Sequence, residues 1–226
     1  MPIYKTEELY DLSKTIAAPL LAPTAWPWEA LGGIESFILA LGPTLSSEKY
    51  DHPSENVWIA KDATVAPSAC INGPCLIDSG AEIRHCAFIR GNAVVGKGAV
   101  VGNSTELKNV ILFDGVQVPH YNYVGDSILG YKAHLGAGAI TSNVKSDKTN
   151  VVVKSGAQEE PTGRKKVGAL VGDFVEVGCN SVLNPGSMLG RGVMVYPTSC
   201  VRGVIPHDHI YKAENKIFSK REIKSV

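Results

Sequence analysis

The chain has 226 residues, 44% of them hydrophobic and 19% charged, which is enough apolar content for one folded domain and too much for a disordered chain. Its 22 basic and 22 acidic residues cancel, so no overall field favours nucleic acid or an anionic membrane, and any anion site must be a local cluster. No apolar run reaches the roughly 18 residues of a membrane span, and the start (Met1, Pro2, Ile3, then Glu7 and Glu8) lacks a signal peptide's basic and apolar regions, so a soluble cytoplasmic protein is expected.

Residues 1–50 read as a helical cap. Thr6 suits the N-cap of a first helix with Leu9, Leu12 and Ile16 on one face. Pro27 suits the start of a second, with Leu31, Ile34, Ile38 and Leu41 inward and Gly42-Pro43 as the stop. The expected role is a lid over the open end of a β structure C-terminal to it.

From Ile59 onward the chain is a ladder. Steps of six reach Val65, Ile71, Ile77, Ile83, Ile89, Val95, Val101 and Leu107. A second run holds Val171, Val177, Leu183, Leu189, Val195 and Val201. Between them a looser stretch passes through Leu112, Val118, Val124, Leu129 and Leu135, with five-residue steps at 107–112 and 124–129. A period of six fits neither a helix nor a long alternating strand. It fits a coil of three short strands and three turns, about eighteen residues per circuit, with each aliphatic residue pointing inward. Residues 51–205 are therefore expected to form an all-β parallel β-helix of about seven coils. The five cysteines form no CxxC pair and read as small buried residues. Residues 144–170 break the ladder and read as an extruded hairpin or loop, and 206–226 form a basic tail.

Candidate chemistry gathers in the irregular middle. PHYNYVGDS supplies His120 and Tyr123; Arg90 and Lys108 precede it, and His134, Asn143 and Lys148 come after. Basic groups, an imidazole, a phenol and amides in this density suit an anionic substrate and a proton transfer. A metal reading is weak. The trimeric β-helix carbonic anhydrases pair two histidines five apart, and the residue five after His120 is Gly125.

The strings VGNSTELK, PHYNYVGDS and GAGAITSN resemble the acetyltransferase domains of bifunctional UDP-N-acetylglucosamine pyrophosphorylase/glucosamine-1-phosphate acetyltransferases, which belong to the hexapeptide-repeat acyltransferases. The resemblance covers 57–143 well and 171–202 loosely. It implies a left-handed β-helix, a homotrimer, acetyl-CoA as acyl donor, an amino-sugar 1-phosphate as acceptor, and no metal. It also implies roles: His120 as general base, with Asn143 beside it near the thioester; Arg90, Lys108, Tyr123, His134 and Lys148 at the sugar phosphate; Ala137, Cys179 and Arg202 at the coenzyme. N–H groups around Gly136-Ala137-Gly138 would steady the thioester oxygen. The chain departs from the pattern at His134, where the family has asparagine, at Cys179, where it has serine, and at Tyr196-Pro197-Thr198, where it has Ala-Ala-Gly. Nothing reads as the Gly-rich loop of a nucleotidyltransferase. The alternatives are a non-catalytic trimeric sugar-phosphate-binding or regulatory module, and an acyltransferase with another donor.

Overall fold

A computed structural model describes residues 2–212 and the backbone of residues 216–219. The ladder closes on itself in the register its period demands. On the first face Val57–Ala60, Cys75–Ile77 and Ala93–Val95 pair in parallel, so Ile59, Ile77 and Val95 stack. On the second, Val65, Ile83 and Val101 stack. On the third, Ile71, Ile89 and Leu107 do. Among the described residues seven three-stranded coils are complete. An eighth begins with Val204–Ile205 and His209–Lys212.

The five-residue steps have a physical cause. The corner between third and first faces holds three residues in the second coil, Arg90-Gly91-Asn92, but only two in the next ones: Lys108-Asn109, then Gly125-Asp126. Single strands, Glu106–Leu112 and Tyr123–Leu129, run straight through those tightened corners. Asn109 and Asp126 take the turn at positive φ, +55° and +48°, a region that short polar side chains tolerate better than branched ones.

The first face is buried on both sides. Its outward residues Leu76, Val94, Ile111, Ile128, Leu170 and Met188 are all fully buried. The N-terminal segment covers them. It runs back along the solenoid from Tyr4, whose amide meets the Met188 sulfur, past Tyr10, which lies 5.0 Å from Phe113 ring to ring, to Gly42 against Trp58. It is a lateral cover, not the lid over the first coil that the sequence suggested; an apolar face needs shielding more than an end does. The short antiparallel strand Tyr50–Ser54 pairs with the first coil instead. Thr6 lies inside the first helical turn and bonds Thr24, so the N-cap is Lys5.

The interruption after Asn143 contains the hairpin Val152–Ser155 and Gln158–Pro161. Of the cysteines only Cys75 is buried, its thiol pushed up to about 12 by desolvation; Cys70, Cys86, Cys179 and Cys200 are exposed. Those four occupy outward or corner positions, where six-residue periodicity sets no burial.

Candidate active site

The tightened corners build the site. Because Ile89, Leu107, Val124, Thr141, Leu183 and Val201 succeed one another on the third face, the residues after them form one column along the corner: Arg90, Lys108, Gly125, Ser142, Asn184 and Arg202. Parallel strands stand about 4.8 Å apart, so neighbours in this column share a ligand-sized space.

Asp126 is the hub of its lower half. Its carboxylate is almost wholly buried and accepts from Lys108 Nζ at 3.1 and 3.2 Å, Asn109 Nδ2 at 3.0 Å and Asn143 Nδ2 at 2.6 Å. Its backbone carbonyl takes the Gly168 amide, where the excursion rejoins the coil. Asn109 also donates to the Leu31 carbonyl, tying the N-terminal cover to the site. Asn143 Nδ2 lies 3.3 Å from Tyr123 Oη. Burial, then the charges of Asp126 and Glu106, raise the Tyr123 pKa, so the phenol keeps its proton. Arg90 forms an ion pair of 2.8 Å with Glu106, which raises its pKa further. Gly125 has a reason to be glycine: a Cβ there would sit 2.5 Å from Tyr123 Oη and 2.9 Å from Asn143 Nδ2.

The structure thus brings together Arg90, Lys108, Tyr123 and Asn143. Sequence reasoning missed Asp126 and Glu106, and its signal for Asp126 was the two-residue corner, where a residue at positive φ comes directly after Gly125. The two cations and two carboxylates leave the corner electrically neutral before a ligand arrives.

His120 stands apart from this cluster. It ends the strand Gln117–His120 on the second face, at the opposite corner of the third face, with Tyr123 between. Its exposed imidazole has no partner among the described residues, while its backbone is fixed: the amide donates to Asn122 Oδ1 and the carbonyl accepts from Gly138. Asn122, buried, donates to the Gly136 and Ala139 carbonyls and locks the turn. The Gly136 amide is spent on Val177 and the Gly138 amide on His120, so of the expected thioester-facing donors only Ala137 remains. The coil ladder consumed the others.

His134 bonds Glu176 at 2.8 Å on the second face, away from Lys108. Lys148 sits on the excursion's first turn at positive φ, its amide bonded to the Lys145 carbonyl. Cys179 is exposed at a corner after the second face, with exposed Tyr196 at the same corner one coil on, and Arg202 is exposed at the corner after the third face. No group of three His, Cys, Asp or Glu side chains suited to a metal occurs among the described residues. No helix among them is long and apolar enough to cross a membrane.

Comparison with known proteins bears on this site. Residues 71–158 match the family model described as the GMPPB C-terminal domain. The chain is 31% identical over 198 residues to the bifunctional protein GlmU of Methanococcus maripaludis, covering 86% of this chain and 48% of that one. It is 30% identical over 126 residues to a bifunctional sugar-1-phosphate nucleotidylyltransferase/acetyltransferase of Sulfurisphaera tokodaii, covering 56% and 31%. The chain therefore spans about half the length, or less, of these relatives. A match of 86% is too long to fit after residue 50, so likeness to the GlmU protein extends into the N-terminal cover, beyond the stretch the motifs marked. Among solved structures, the acetyltransferase domain of PglB from Neisseria gonorrhoeae is similar at a TM-score of 0.36 and 16% identity, covering 77% of this chain and 64% of that one.

Proposed function

The chain belongs to the hexapeptide-repeat acyltransferases, and on that premise we propose that it is an acetyl-CoA-dependent N-acetyltransferase acting on an amino-sugar 1-phosphate, of the gluco or galacto series. The observation that carries the reading is one corner cluster, in which Lys108 and Asn143 bond the buried carboxylate of Asp126, Asn143 reaches Tyr123, and Arg90 on the neighbouring rung pairs with Glu106. The phosphate sits at the corner, where Arg90 and Lys108 exchange part of their contact with Glu106 and Asp126 for charge-assisted bonds to the dianion. The sugar ring lies across Tyr123 toward His120. His120 takes a proton from the amine as its nitrogen attacks the thioester carbonyl; the N–C bond forms, the C–S bond breaks, and the sulfur leaves as thiolate, which takes up the proton His120 carries. An imidazole is the side chain suited to that step, and a positioned base contributes roughly 10²–10⁴-fold.

We propose a homotrimer with the site in the cleft between subunits. The exposed third-face residue Phe88, beside Arg90, and the unpartnered His120 imidazole are what a neighbouring chain would cover and orient. Acetyl-CoA would meet Ala137, Cys179 and Arg202. Lys148 and His134, which stand off the corner, would touch the sugar phosphate only through such a cleft. One observation favours a second reading, a sugar-phosphate-binding module without turnover: no group among the described residues fixes the His120 tautomer, as catalytic imidazoles usually require. Steady-state kinetics of thiol release separate the two. Arg90→Gln and Lys108→Met should each raise KM for the sugar phosphate about tenfold or more with KM for acetyl-CoA little changed. Equal effects on both constants would sink the phosphate assignment.

A further inference from the structure

The corner between the first and second faces, away from both Lys108 and His120, holds a cavity of about 550 Å³ that acyl transfer does not use. Small-molecule sites have this size. Because Ile59, Ile77 and Val95 stack, Lys61, Ser79 and Lys97 succeed one another along the corner. Lys49, just before the strand Tyr50–Ser54, lies beneath them and takes the Lys61 amide on its carbonyl. Ser79 is short, and Gly80 and Gly98 have no side chain; a Cβ on either glycine would find nothing nearer than 4.0 Å. Lys61 and Lys97 thus flank an open notch, two rungs or about 10 Å apart.

Asp78 forms the floor of this cavity. Its Oδ1 accepts from Tyr50 Oη at 2.6 Å and from the Ser79 amide at 2.7 Å, but its Oδ2 is buried without a partner. The other buried aspartates differ: both oxygens of Asp126 and both of Asp173 are bonded. Tyr50 cannot supply the missing bond. Its one hydroxyl proton is already given, and burial, then the bond to Asp78 and the Asp78 charge, raise its pKa so that it keeps that proton. Burial, then the Asp78 charge, also raise the pKa of Asp114, one rung above Lys97, so the floor is already negative. At the rim Asp62 is spent on Ser79 Oγ at 2.6 Å, which lowers its pKa, and Glu48 is the remaining carboxylate. Lys61 stands 3.6 Å from Asp51, while Lys49 and Lys97 make no ion pair among the described residues.

An ionised carboxylate oxygen accepts and cannot donate, so whatever completes Asp78 must bring a donor. Near two carboxylates an ammonium suits that place better than a hydroxyl. The lysines select the opposite charge. A plain anion would meet Asp78, and a plain cation would meet three ammonium groups. We infer that this cavity is a second binding site, for a small zwitterion that sets an ammonium on Asp78 Oδ2 and a phosphate or carboxylate between Lys61 and Lys97. Amino-sugar phosphates and α-amino acids share that chemistry. The site has no residue in common with the acyl-transfer corner, so it stands or falls apart from that reading.

Calorimetric titrations of the full chain with glucosamine 6-phosphate and with L-serine test it without turnover. At least one should bind, and the tighter of the two assigns the source. Removing either charged end of that ligand should weaken binding about tenfold or more: glucose 6-phosphate and glucosamine are the comparisons for the sugar, 3-hydroxypropionate and ethanolamine for serine. Asp78→Asn, Lys61→Gln and Lys97→Gln should each weaken it about tenfold, while Lys108→Met, at the acceptor corner, should change it less than twofold. Lys97 is exposed, so its variant decides the matter should Asp78→Asn fail to fold. Three results overturn the site: no binding of either ligand, equal binding once the amine is removed, or binding lost in Lys108→Met and kept in Lys61→Gln and Lys97→Gln.

Discussion

Replacing Asp126 with alanine removes the acceptor shared by Lys108, Asn109 and Asn143. A hydrogen bond to a charged group contributes roughly 1.5–3 kcal/mol, and deleting one member of a buried ion pair costs about 3–5 kcal/mol. The partners here are partly rescued. The Lys108 side chain is 27% exposed and can turn to water, Asn109 keeps the Leu31 carbonyl, and Asn143 keeps Tyr123. The cost should therefore fall near the bottom of the buried-pair range, about 3 kcal/mol. For a chain of this size each kcal/mol moves Tm by roughly 2–4 °C, so calorimetry should show Asp126→Ala melting about 6–12 °C below wild type. Asp126→Asn fills the space but cannot accept from all three donors, so it should retain part of the stability and lose sugar-phosphate affinity. A Tm within about 2 °C of wild type for the alanine variant would refute the hub, since Lys108 and Asn143 would then be held by something else.

Gly125→Ala puts a methyl 2.5 Å from Tyr123 Oη on ordinary backbone, so it should cut kcat/KM by about 10–100-fold through misplacement with Tm little changed; unaltered kinetics would mean that neither Tyr123 nor Asn143 touches substrate. Ile111→Ala, in the outward row beneath the N-terminal cover, should cost about 2–5 kcal/mol on chemical denaturation, whereas a solvent-facing position would cost nearly nothing. His207 accepts from the Arg191 amide at 2.7 Å and packs 4.1 Å from Tyr4, the two rings tilted; burial, then the Arg191 charge, lower its pKa below the usual value. Its neutral form is the folded one. The stability it contributes is complete above an unfolded pKa of about 6.5 and falls as pH drops below it, as the unfolded chain takes up the proton first. Melting profiles from pH 7.5 to 5 should flatten in His207→Gln; an unchanged slope would exclude His207 as the source.

The coil architecture was legible because one residue in six is inward and nothing else explains Ile59 through Leu107. The same ladder located the five-residue steps, and the structure explains them as two-residue corners that bear Lys108, Asn109, Gly125 and Asp126. The outward apolar row was present but hidden. Leu76, Val94, Ile111 and Ile128 recur once per coil, immediately before the ladder residue, so a search at period six reads them as noise. Without that row the N-terminal segment had no face to cover, and it was assigned to an end. Asp126 was missed for a different reason: a buried carboxylate is defined by its partners, and these come from 17 residues on either side in sequence. Motif resemblance found Arg90, Lys108, Tyr123 and Asn143 as residues, but not that two carboxylates hold the cations neutral.

The central claim is acetyl transfer to the amine of a sugar phosphate with His120 as base. Mass spectrometry of reactions containing acetyl-CoA and glucosamine 1-phosphate or galactosamine 1-phosphate tests it directly. The expected result is an acetylated product from at least one sugar, and a rate reduced at least about a hundredfold in His120→Ala. No product with either sugar, or His120→Ala at the wild-type rate, would contradict it.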